Sequence, residues 1–369
     1  MKDQKVKICG IDFPNPIWTA AGPTGANARM MLLAAKGGAG GLVTKTISVN
    51  PARVPIPNIA SPFPGSLLNA EKWSEIDYRI MINKEFPQAK KSGIPIIASV
   101  GYTPEELIIL TKDLERSSAV QAIEFSIHYV EKDPLNLEKT ARVIKHHTSK
   151  PVFVKLSPAV VDLDKIINVL DPIVDGYVAI NSLGPALDFN IETLQPVLGS
   201  EDARGWLSGR AILPIGLHFV ESISALTERP VIGVGGIRTV TDIIKYLMAG
   251  ASAVQISSTA ILQGEQIYAK LSRKLDQWMT AHGYKHVSEL TGAFRRRKRG
   301  KTYYLGEGPQ LFPELKDEYC TYCDLCAKVC MYNAIRFEDK KFFLNRENCV
   351  SCGLCSTVCM PGALQMTEK

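Results

Sequence analysis

The sequence predicts an α/β protein, a (β/α)8 TIM barrel followed by a small α+β domain rich in cysteine. In the first three hundred of the 369 residues, short β-branched runs alternate with amphipathic helical runs. Such alternation implies parallel strand pairing, and eight units over this length imply a closed barrel. Eight of the nine cysteines lie in the last fifty residues. We therefore expect a barrel over residues 1–300, a linker over 301–318 and the small domain over 319–369.

The barrel elements follow from hydrophobic periodicity. Eight runs have the length and composition of buried strands: Ile17–Ala21, Leu42–Thr46, Ile94–Val100, Ala122–Ser126, Val152–Leu156, Gly176–Asn181, Val231–Val234 and Ala253–Ser257. Five runs between them have helical periodicity: Pro104–Arg116, Leu135–His147, Leu163–Leu170, Pro214–Thr227 and Thr239–Ala249. Two long connections interrupt the alternation. Residues 47–75, rich in proline, are predicted to form a lid or a subunit contact, and residues 183–212 form a long excursion. The active site of such a barrel lies at the C-terminal ends of its strands.

The cysteines of the small domain form two runs of identical spacing. They are Cys320-x-x-Cys323-x-x-Cys326-x-x-x-Cys330 and Cys349-x-x-Cys352-x-x-Cys355-x-x-x-Cys359. This is the bacterial ferredoxin pattern for two 4Fe–4S clusters, in which the fourth cysteine of each run ligates the other cluster. By that rule one cluster takes Cys320, Cys323, Cys326 and Cys359, and the second takes Cys349, Cys352, Cys355 and Cys330. Two complete runs disfavour a zinc site. A disulfide framework is also not expected, because such frameworks belong to oxidising compartments.

Composition and charge exclude several classes of protein. No run approaches the ~18 apolar residues of a membrane helix, and the polar N-terminus lacks the apolar core of a signal peptide. We therefore expect a cytoplasmic protein with no membrane association. The formal charge is +6, partly from the basic run 295–301. That run is either a solvated linker or a docking patch for an acidic electron-transfer partner. Nucleic-acid binding is not expected, because no recognition motif accompanies the run.

Two glycine- and serine-rich strand ends indicate a phosphate site. Residues 233–237 read Gly-Val-Gly-Gly-Ile, and residues 255–259 read Gln-Ile-Ser-Ser-Thr before a helix. The loops after strands seven and eight of these barrels usually bind phosphate, although two ordinary turns would look similar. Lys45 and Lys155 lie at the ends of strands two and five. A buried lysine is costly unless an anion pairs with it, and a reduced flavin, anionic at N1, is a natural partner.

These segments together resemble the dihydroorotate dehydrogenase family. The resemblance rests on residues 15–22, 44–46, 153–158, 207–214 and 235–237. With the cysteine-rich tail, the chain looks most like the pyrimidine-reducing part of the dihydropyrimidine dehydrogenases. The resemblance implies FMN across the barrel mouth, and homo-oligomers in which barrel faces pair. The residues implied to contact FMN are Ala20, Ala21, Gly22, Lys45, Lys155, Ser208, Gly209, Gly235, Gly236, Ser257 and Ser258.

The expected substrate segment departs from the family pattern. The family has a strand-four segment close to Glu-Leu-Asn-Leu-Ser-Cys-Pro, whose asparagine holds the substrate and whose cysteine exchanges a proton. Here Ser126 takes the asparagine position, Tyr129 takes the cysteine position, and His128 precedes it. Asn69 and Asn181, followed by Ser182, match the family's substrate contacts. Because an acid must quench the carbanion left by hydride transfer, we expect His128 or Tyr129 to act as the catalytic acid.

The sequence therefore predicts a flavin- and iron–sulfur-dependent oxidoreductase that reduces or oxidises an activated C=C bond of a small molecule. No G-x-G-x-x-G opens a helix after a strand, so the electron partner is expected to be ferredoxin or an NAD(P)H-oxidising flavoprotein. Two alternatives stay open. One is a non-catalytic electron-transfer subunit of a larger redox complex. The other is a phosphate-binding barrel without flavin, since fold alone does not dictate function.

Overall fold

The computed structural model describes residues 3–101, 103–126, 134–160, 162–299 and 310–368. It divides into two compact units, Met1–Arg299 and Gly300–Lys369, which are described separately below. The predicted catalytic residues His128 and Tyr129 lie outside the described residues. Among the described residues, no helix is both long and apolar enough to cross a membrane.

The first unit is built on an eight-stranded parallel sheet that closes into the predicted barrel. In the order in which they pair, its strands are Ile17–Thr19, Ala253–Ile256, Val231–Val234, Gly176–Ala179, Val152–Leu156, Ala122–Ser126, Ile96–Val100 and Leu42–Val43. The first and last of these are joined by backbone bonds from Thr19 N to Gly41 O at 3.0 Å and from Gly40 N to Ile17 O at 2.8 Å. The Thr19 hydroxyl also donates to Val43 O at 2.9 Å and accepts from Val43 N at 2.7 Å. These contacts close the barrel, so the predicted fold class is confirmed.

The helices surround the barrel, and several of them begin at residues whose side chains satisfy free N–H groups of the first turn. Thr103 and Thr239 form capping boxes with Glu106 and Asp242, and the Asn27 side chain accepts from Met30 N. The helices of this unit are Ala28–Lys36, Tyr78–Ile80, a π-helical turn Met81–Glu85, Phe86–Ala89, Pro104–Arg116, Pro134–His146, Leu163–Leu170, Leu213–Leu226, Val240–Ala249, Ser258–Gln263, Ile267–Ala281 and Ala293–Arg299. Short 3-10 turns cover Pro23–Gly25, Lys90–Ser92, Arg210–Ile212 and Val287–Leu290.

The inside of the barrel is apolar toward the N-terminal ends of the strands and polar toward their C-terminal ends. Alternate residues of a barrel strand face inward. One buried apolar cluster contains a residue from each of six strands: Ile97, Ala122, Phe153, Val178, Ile232 and Ala253. Two residues further along four of these strands lie Ser99, Glu124, Lys155 and Gln255, all of them buried. This polar layer is therefore closer to the C-terminal ends of the strands, where the active site of such barrels lies.

The two long connections pair with each other. Strands Ile59–Ala60 and Ser66–Asn69 of the proline-rich connection join Leu183–Ala186 and Gly205–Gly209 of the later excursion in one antiparallel sheet. Trp206 pairs with Asn69, and Ser208 pairs with Leu67. A separate hairpin, Val6–Ile8 with Ile11–Phe13, precedes the first barrel strand. The pairing brings residues 137 positions apart in the sequence into hydrogen-bond contact.

The second unit is a small α+β domain with an internal repeat. Strand Leu311–Leu315 pairs antiparallel with Leu364–Glu368, and Ile335–Glu338 pairs antiparallel with Lys341–Leu344. Its helices are Leu325–Lys328 and Leu354–Thr357, and a 3-10 turn covers Asp317–Tyr319. The segment 301–318 was predicted to be a linker, but its residues 311–315 form a strand of this unit. These residues form a strand because they pair with the last strand of the chain, a tertiary contact that the local sequence does not reveal.

Candidate active site

A cavity opens at the C-terminal ends of the barrel strands. The space that it encloses, together with its open mouth, is about 1160 Å³. Every predicted cofactor and substrate residue that the structure describes lines it: Ala20, Ala21, Gly22, Lys45, Asn69, Ser126, Lys155, Asn181, Ser182, Ser208, Gly209, Gly235, Gly236, Ser257 and Ser258. The lining also includes residues that sequence reasoning missed, among them Glu71, Lys72, Ser99 and Trp206.

Lys155 lies on the floor of the cavity and is almost fully buried. Its Nζ is 3.7 Å from Glu124 Oε1, and the two side chains are 6% and 1% exposed. The other carboxylate oxygen of Glu124 accepts a hydrogen bond from Gln255 Nε2 at 2.8 Å. A buried ion pair with few hydrogen bonds adds little to stability, so this pair is weak evidence for a structural role. The cation instead faces a cavity in which an anionic group could approach it.

Lys45 is held by carboxylates of the proline-rich connection. Its Nζ lies 2.6 Å from Glu71 Oε2 and 2.9 Å from Glu75 Oε2. Asn58 donates to the second oxygen of Glu71. The expectation that this buried lysine needs a flavin as its counter-ion is therefore incomplete, because the protein itself supplies two. No local pattern marks Glu71 and Glu75 as partners of a lysine that lies 26 and 30 positions earlier.

The loop after strand seven has a backbone shape that suits close approach of a phosphate. Gly235 and Gly236 have φ angles of +123° and +74°, a region that side-chain-bearing residues rarely adopt. Ser208 of the strand Gly205–Gly209 and Ser258, the first residue of the helix Ser258–Gln263, share a hydrogen bond at 2.8 Å, so two different elements present hydroxyl groups together. Thr259 Oγ1 donates to Ile237 O at 2.6 Å and ties the seventh loop to the eighth. The hydroxyl donors and the glycine backbone fit the phosphate end of a flavin nucleotide.

The predicted substrate residues form two hydrogen-bonded groups. Asn181 Nδ2 donates to Ser126 Oγ at 3.1 Å, and Asn181 Oδ1 accepts from Ser182 N at 2.8 Å. Asn69 Nδ2 donates to Trp206 O at 3.0 Å, and its Oδ1 accepts from Glu71 N at 3.3 Å. Asn69 is therefore oriented by the antiparallel sheet over the mouth, whereas Asn181 and Ser126 are oriented by the barrel strands. Both groups line the same cavity.

The cysteines of the small unit come together across the two runs. Cys330 of the first run lines one cavity with Cys349, Cys352 and Cys355 of the second. Cys326 and Cys359 pack against the same small apolar core. The described residues hold no set of three or more His, Cys, Asp or Glu side chains that suits a single metal ion. That finding does not bear on a cluster, in which each thiolate binds a different iron.

The turns around the cysteines repeat between the two runs. Tyr322 and Asp324 have φ angles of 52° and 61°, and their counterparts Ser351 and Gly353 have 59° and 76°. Left-handed residues alternating with ordinary ones turn successive N–H groups toward one point, which forms an anion-binding nest. N–H groups already reach sulfur, because Tyr322 N is 3.4 Å from Cys320 Sγ. The arrangement suits the negative charge of a thiolate-bound iron–sulfur cluster.

Comparison with known proteins agrees with both parts of the chain. The family model for dihydroorotate dehydrogenase matches residues 4–279, and the model for a 4Fe-4S dicluster domain matches residues 319–363. The chain is 31% identical over 297 residues to the catalytic subunit of dihydroorotate dehydrogenase B (NAD(+)) from Pyrococcus furiosus, covering 78% of this chain and 97% of that protein. The corresponding subunit from Methanocaldococcus jannaschii is 35% identical over 281 residues, covering 72% and 90%. That from Geobacter sp. is 32% identical over 304 residues, covering 79% and 98%.

Proposed function

The chain belongs to the dihydroorotate dehydrogenase family and is a flavin-dependent oxidoreductase acting on CH–CH groups, and on that premise we propose its cofactors, substrate class and electron route. The proposed cofactors are FMN in the barrel cavity and two 4Fe–4S clusters in the small unit. The proposed reaction interconverts a CH–CH bond and an activated C=C bond in a small cyclic amide. The observation that carries the proposal is one cavity lined by two buried lysines, two positive-φ glycines and a group of amide and hydroxyl side chains.

The cavity residues fit FMN by their chemistry. Backbone N–H groups around Gly235 and Gly236, with the hydroxyls of Ser208 and Ser258, would hold the phosphate. Lys155 would face the ring edge that becomes negative on reduction, and the backbone of residues 20–22 would lie against the ring. When bound, FMN supplies hydride chemistry and also exchanges single electrons with iron–sulfur clusters.

The substrate residues suit a planar ring that carries amide groups. Asn181 and Ser126, joined at 3.1 Å, together present amide and hydroxyl groups on one wall, and Asn69 presents an amide on the other. A site built from such groups rejects ligands that leave them unpaired, at about 1–3 kcal/mol for each unpaired group. The relatives are named as dihydroorotate dehydrogenases, so dihydroorotate and its oxidised form orotate are the first pair to test. Uracil and thymine, the ring substrates of the dihydropyrimidine dehydrogenases, are the second.

The proton that accompanies hydride transfer needs its own group. We propose that His128 or Tyr129 holds this proton, although both lie outside the described residues. They follow Ser126, which lines the cavity, at the end of the fourth barrel strand. Comparison of His128→Ala with Tyr129→Phe would identify the donor. The variant that lacks the donor should lose kcat by roughly 10²–10⁴-fold with little change in flavin content. If neither variant loses activity, the proposed role is wrong for both residues.

Electrons would pass between the flavin and a partner protein through the clusters. We propose ferredoxin or an NAD(P)H-oxidising flavoprotein as that partner, and a homo-oligomer as the assembled form. The relatives are catalytic subunits of enzymes whose name includes NAD(+), which supports a separate nicotinamide-oxidising or -reducing protein. No G-x-G-x-x-G of the dinucleotide-binding type opens a helix in this chain.

The test uses anaerobically purified protein that is reduced with dithionite and then freed of excess reductant. Flavin and cluster absorbance would be followed after addition of orotate, uracil, thymine, or cyclic and open-chain enones. Rapid reoxidation by orotate or a pyrimidine would support the proposed class, and reoxidation by enones alone would reject the cyclic amide. With bound FMN but no reoxidation by any acceptor, the proposed chemistry would be rejected in favour of a non-catalytic electron-transfer subunit. Purified protein without flavin would reject the cofactor assignment.

A further inference from the structure

A buried carboxylate lies directly behind the lysine on the cavity floor. Glu124 belongs to the strand Ala122–Ser126, is 1% exposed and contacts Lys155 and Gln255, both of which line the cavity. The layer of inward-facing residues below it is apolar. Glu124 therefore contacts the cavity only through its two neighbours, and it lies in surroundings where charges are weakly screened.

This carboxylate is poorly satisfied as a structural group. Within the described residues, Glu124 Oε1 has no hydrogen-bond partner, and Gln255 Oε1 has none either. Burial of polar atoms without partners is costly, and a hydrophobic pair of similar volume is often at least as stable as a buried ion pair. Packing alone therefore does not explain why a carboxylate occupies this position. Its nearest cation is Lys155 Nζ at 3.7 Å, so its main effect is to offset the charge of that lysine.

We propose that Glu124 is a positioning residue that sets the reduction potential of the bound flavin through Lys155. The inference rests on the proposed binding of FMN in this cavity. Reduction adds negative charge to the flavin ring, and a nearby cation stabilises that charge. Glu124 cancels part of the attraction at a fixed distance of 3.7 Å. With the pair, the flavin is therefore a stronger reductant than it would be beside an unpaired Lys155. The ion pair also holds Lys155 in place at the bottom of the cavity.

The second lysine of the cavity offers a matched comparison. Lys45 also pairs with carboxylates, but one of them, Glu75, is 49% exposed, and Glu71 remains as a second partner. Solvent and salt screen an exposed charge far more than a buried one. The same chemical change, glutamate to glutamine, should therefore shift the reduction potential of the flavin at position 124 and have little effect on it at position 75.

The experiment compares the flavin midpoint potential of the full-length wild-type protein with those of Glu124→Gln, Glu124→Asp and Glu75→Gln. Each FMN-loaded protein is titrated anaerobically against dyes of known potential, and flavin bands are separated from cluster absorbance by difference spectra. In Glu124→Gln we expect the ratio of reduced to oxidised flavin at a fixed potential to rise about tenfold or more. For a two-electron couple that is a positive shift of about 30 mV. Glu124→Asp, which keeps the charge, should stay within about threefold of wild type, as should Glu75→Gln.

Three results would overturn the proposal. One is a Glu124→Gln protein with full flavin content and an unchanged potential, and another is a shift to a more negative potential. The third is an equal shift in Glu75→Gln, which would show that burial and proximity are irrelevant. If Glu124→Gln retains no flavin, Glu124→Met provides a second neutral side chain, and the same positive shift is required of it. Absence of flavin from the wild-type protein would instead refute the proposed cofactor, so the two failures are distinguishable.

Discussion

The loop after the seventh barrel strand allows a quantitative test of the proposed phosphate site. Gly236 has a φ of +74°, and a β-carbon placed on it would lie 2.6 Å from Leu213 Cβ and 2.7 Å from Leu213 N and Cα. Ordinary contact begins near 3.4 Å, so the loop would have to move by about 0.8 Å. Leu213 begins the helix Leu213–Leu226, and its backbone cannot yield as a flexible side chain could.

The expected cost of Gly236→Ala has two parts. The left-handed backbone costs a side-chain-bearing residue about 1–2 kcal/mol, and forced overpacking adds about 1–3 kcal/mol. Movement of the loop should also remove at least one N–H donor from the phosphate. A hydrogen bond to a charged group contributes about 1.5–3 kcal/mol, which corresponds to roughly 10–100-fold weaker flavin binding. Chemical denaturation would measure the first effect, and flavin fluorescence on dilution would measure the second.

Gly93 provides a matched control for backbone strain. Its φ of +73° is almost the same, but a β-carbon there would meet nothing within 4 Å. Gly93→Ala should therefore show only the backbone cost of about 1–2 kcal/mol and should retain flavin normally. If the two alanine variants unfold at the same denaturant concentration and bind flavin equally well, the proposed role of the Gly236 loop is refuted.

Three further changes test the lysine pair, the clusters and the acid stability of the barrel. Lys155→Met should cost about 3–5 kcal/mol in the free energy of unfolding by leaving Glu124 unpaired, and adding Glu124→Leu should restore much of that loss. Cys330→Ser and Cys355→Ser should each abolish the same cluster, because crossed ligation gives both cysteines to it. Iron per chain and electron paramagnetic resonance would measure the loss, and loss of different cluster signals in the two variants would contradict the crossed ligation. Hydrogen bonds from Thr148 and Ser149 lower the pKa of Glu115 below its usual 4.5, so its stabilisation is present above that pH and is lost as the pH falls through the folded-state pKa. Urea denaturation should show Glu115→Gln less stable than wild type at pH 7 but not at low pH, and a gap independent of pH would contradict this.

Local patterns were sufficient to predict the barrel but not the ends of its strands. Ala122–Ser126, Val152–Leu156 and Val231–Val234 have the predicted bounds, because each is a continuous run of buried residues. Strands one and two are shorter than predicted and end at Thr19 and Val43. The residues that follow them, Ala20, Ala21 and Lys45 among others, line the cavity. Strands one and two thus end at the point in the sequence where the residues of the predicted site begin.

The counter-ions of the two lysines could not be predicted in the same way. The sequence indicated Lys45 and Lys155 because they end strands, and it left their partners to a flavin. Glu124 is an inward-facing residue of the preceding barrel strand, and its pairing with Lys155 depends on the register between the two strands, in which Ser126 lies opposite Lys155. Glu71 reaches Lys45 only because its connection forms a sheet with a segment more than one hundred residues later.

By itself, the sequence determined the fold class, the two cysteine runs and the family, because each follows from patterns within short segments and from the order of those segments along the chain. Periodic burial selects strand or helix, and thiolate spacing selects a cluster loop, without reference to distant residues. Only the tertiary structure decided which charges neutralise each other, that the two long connections form one sheet over the site, and that residues 311–315 are a strand. Those features depend on pairing between segments far apart in the chain, whose register and approach are selected by the packing of the whole unit.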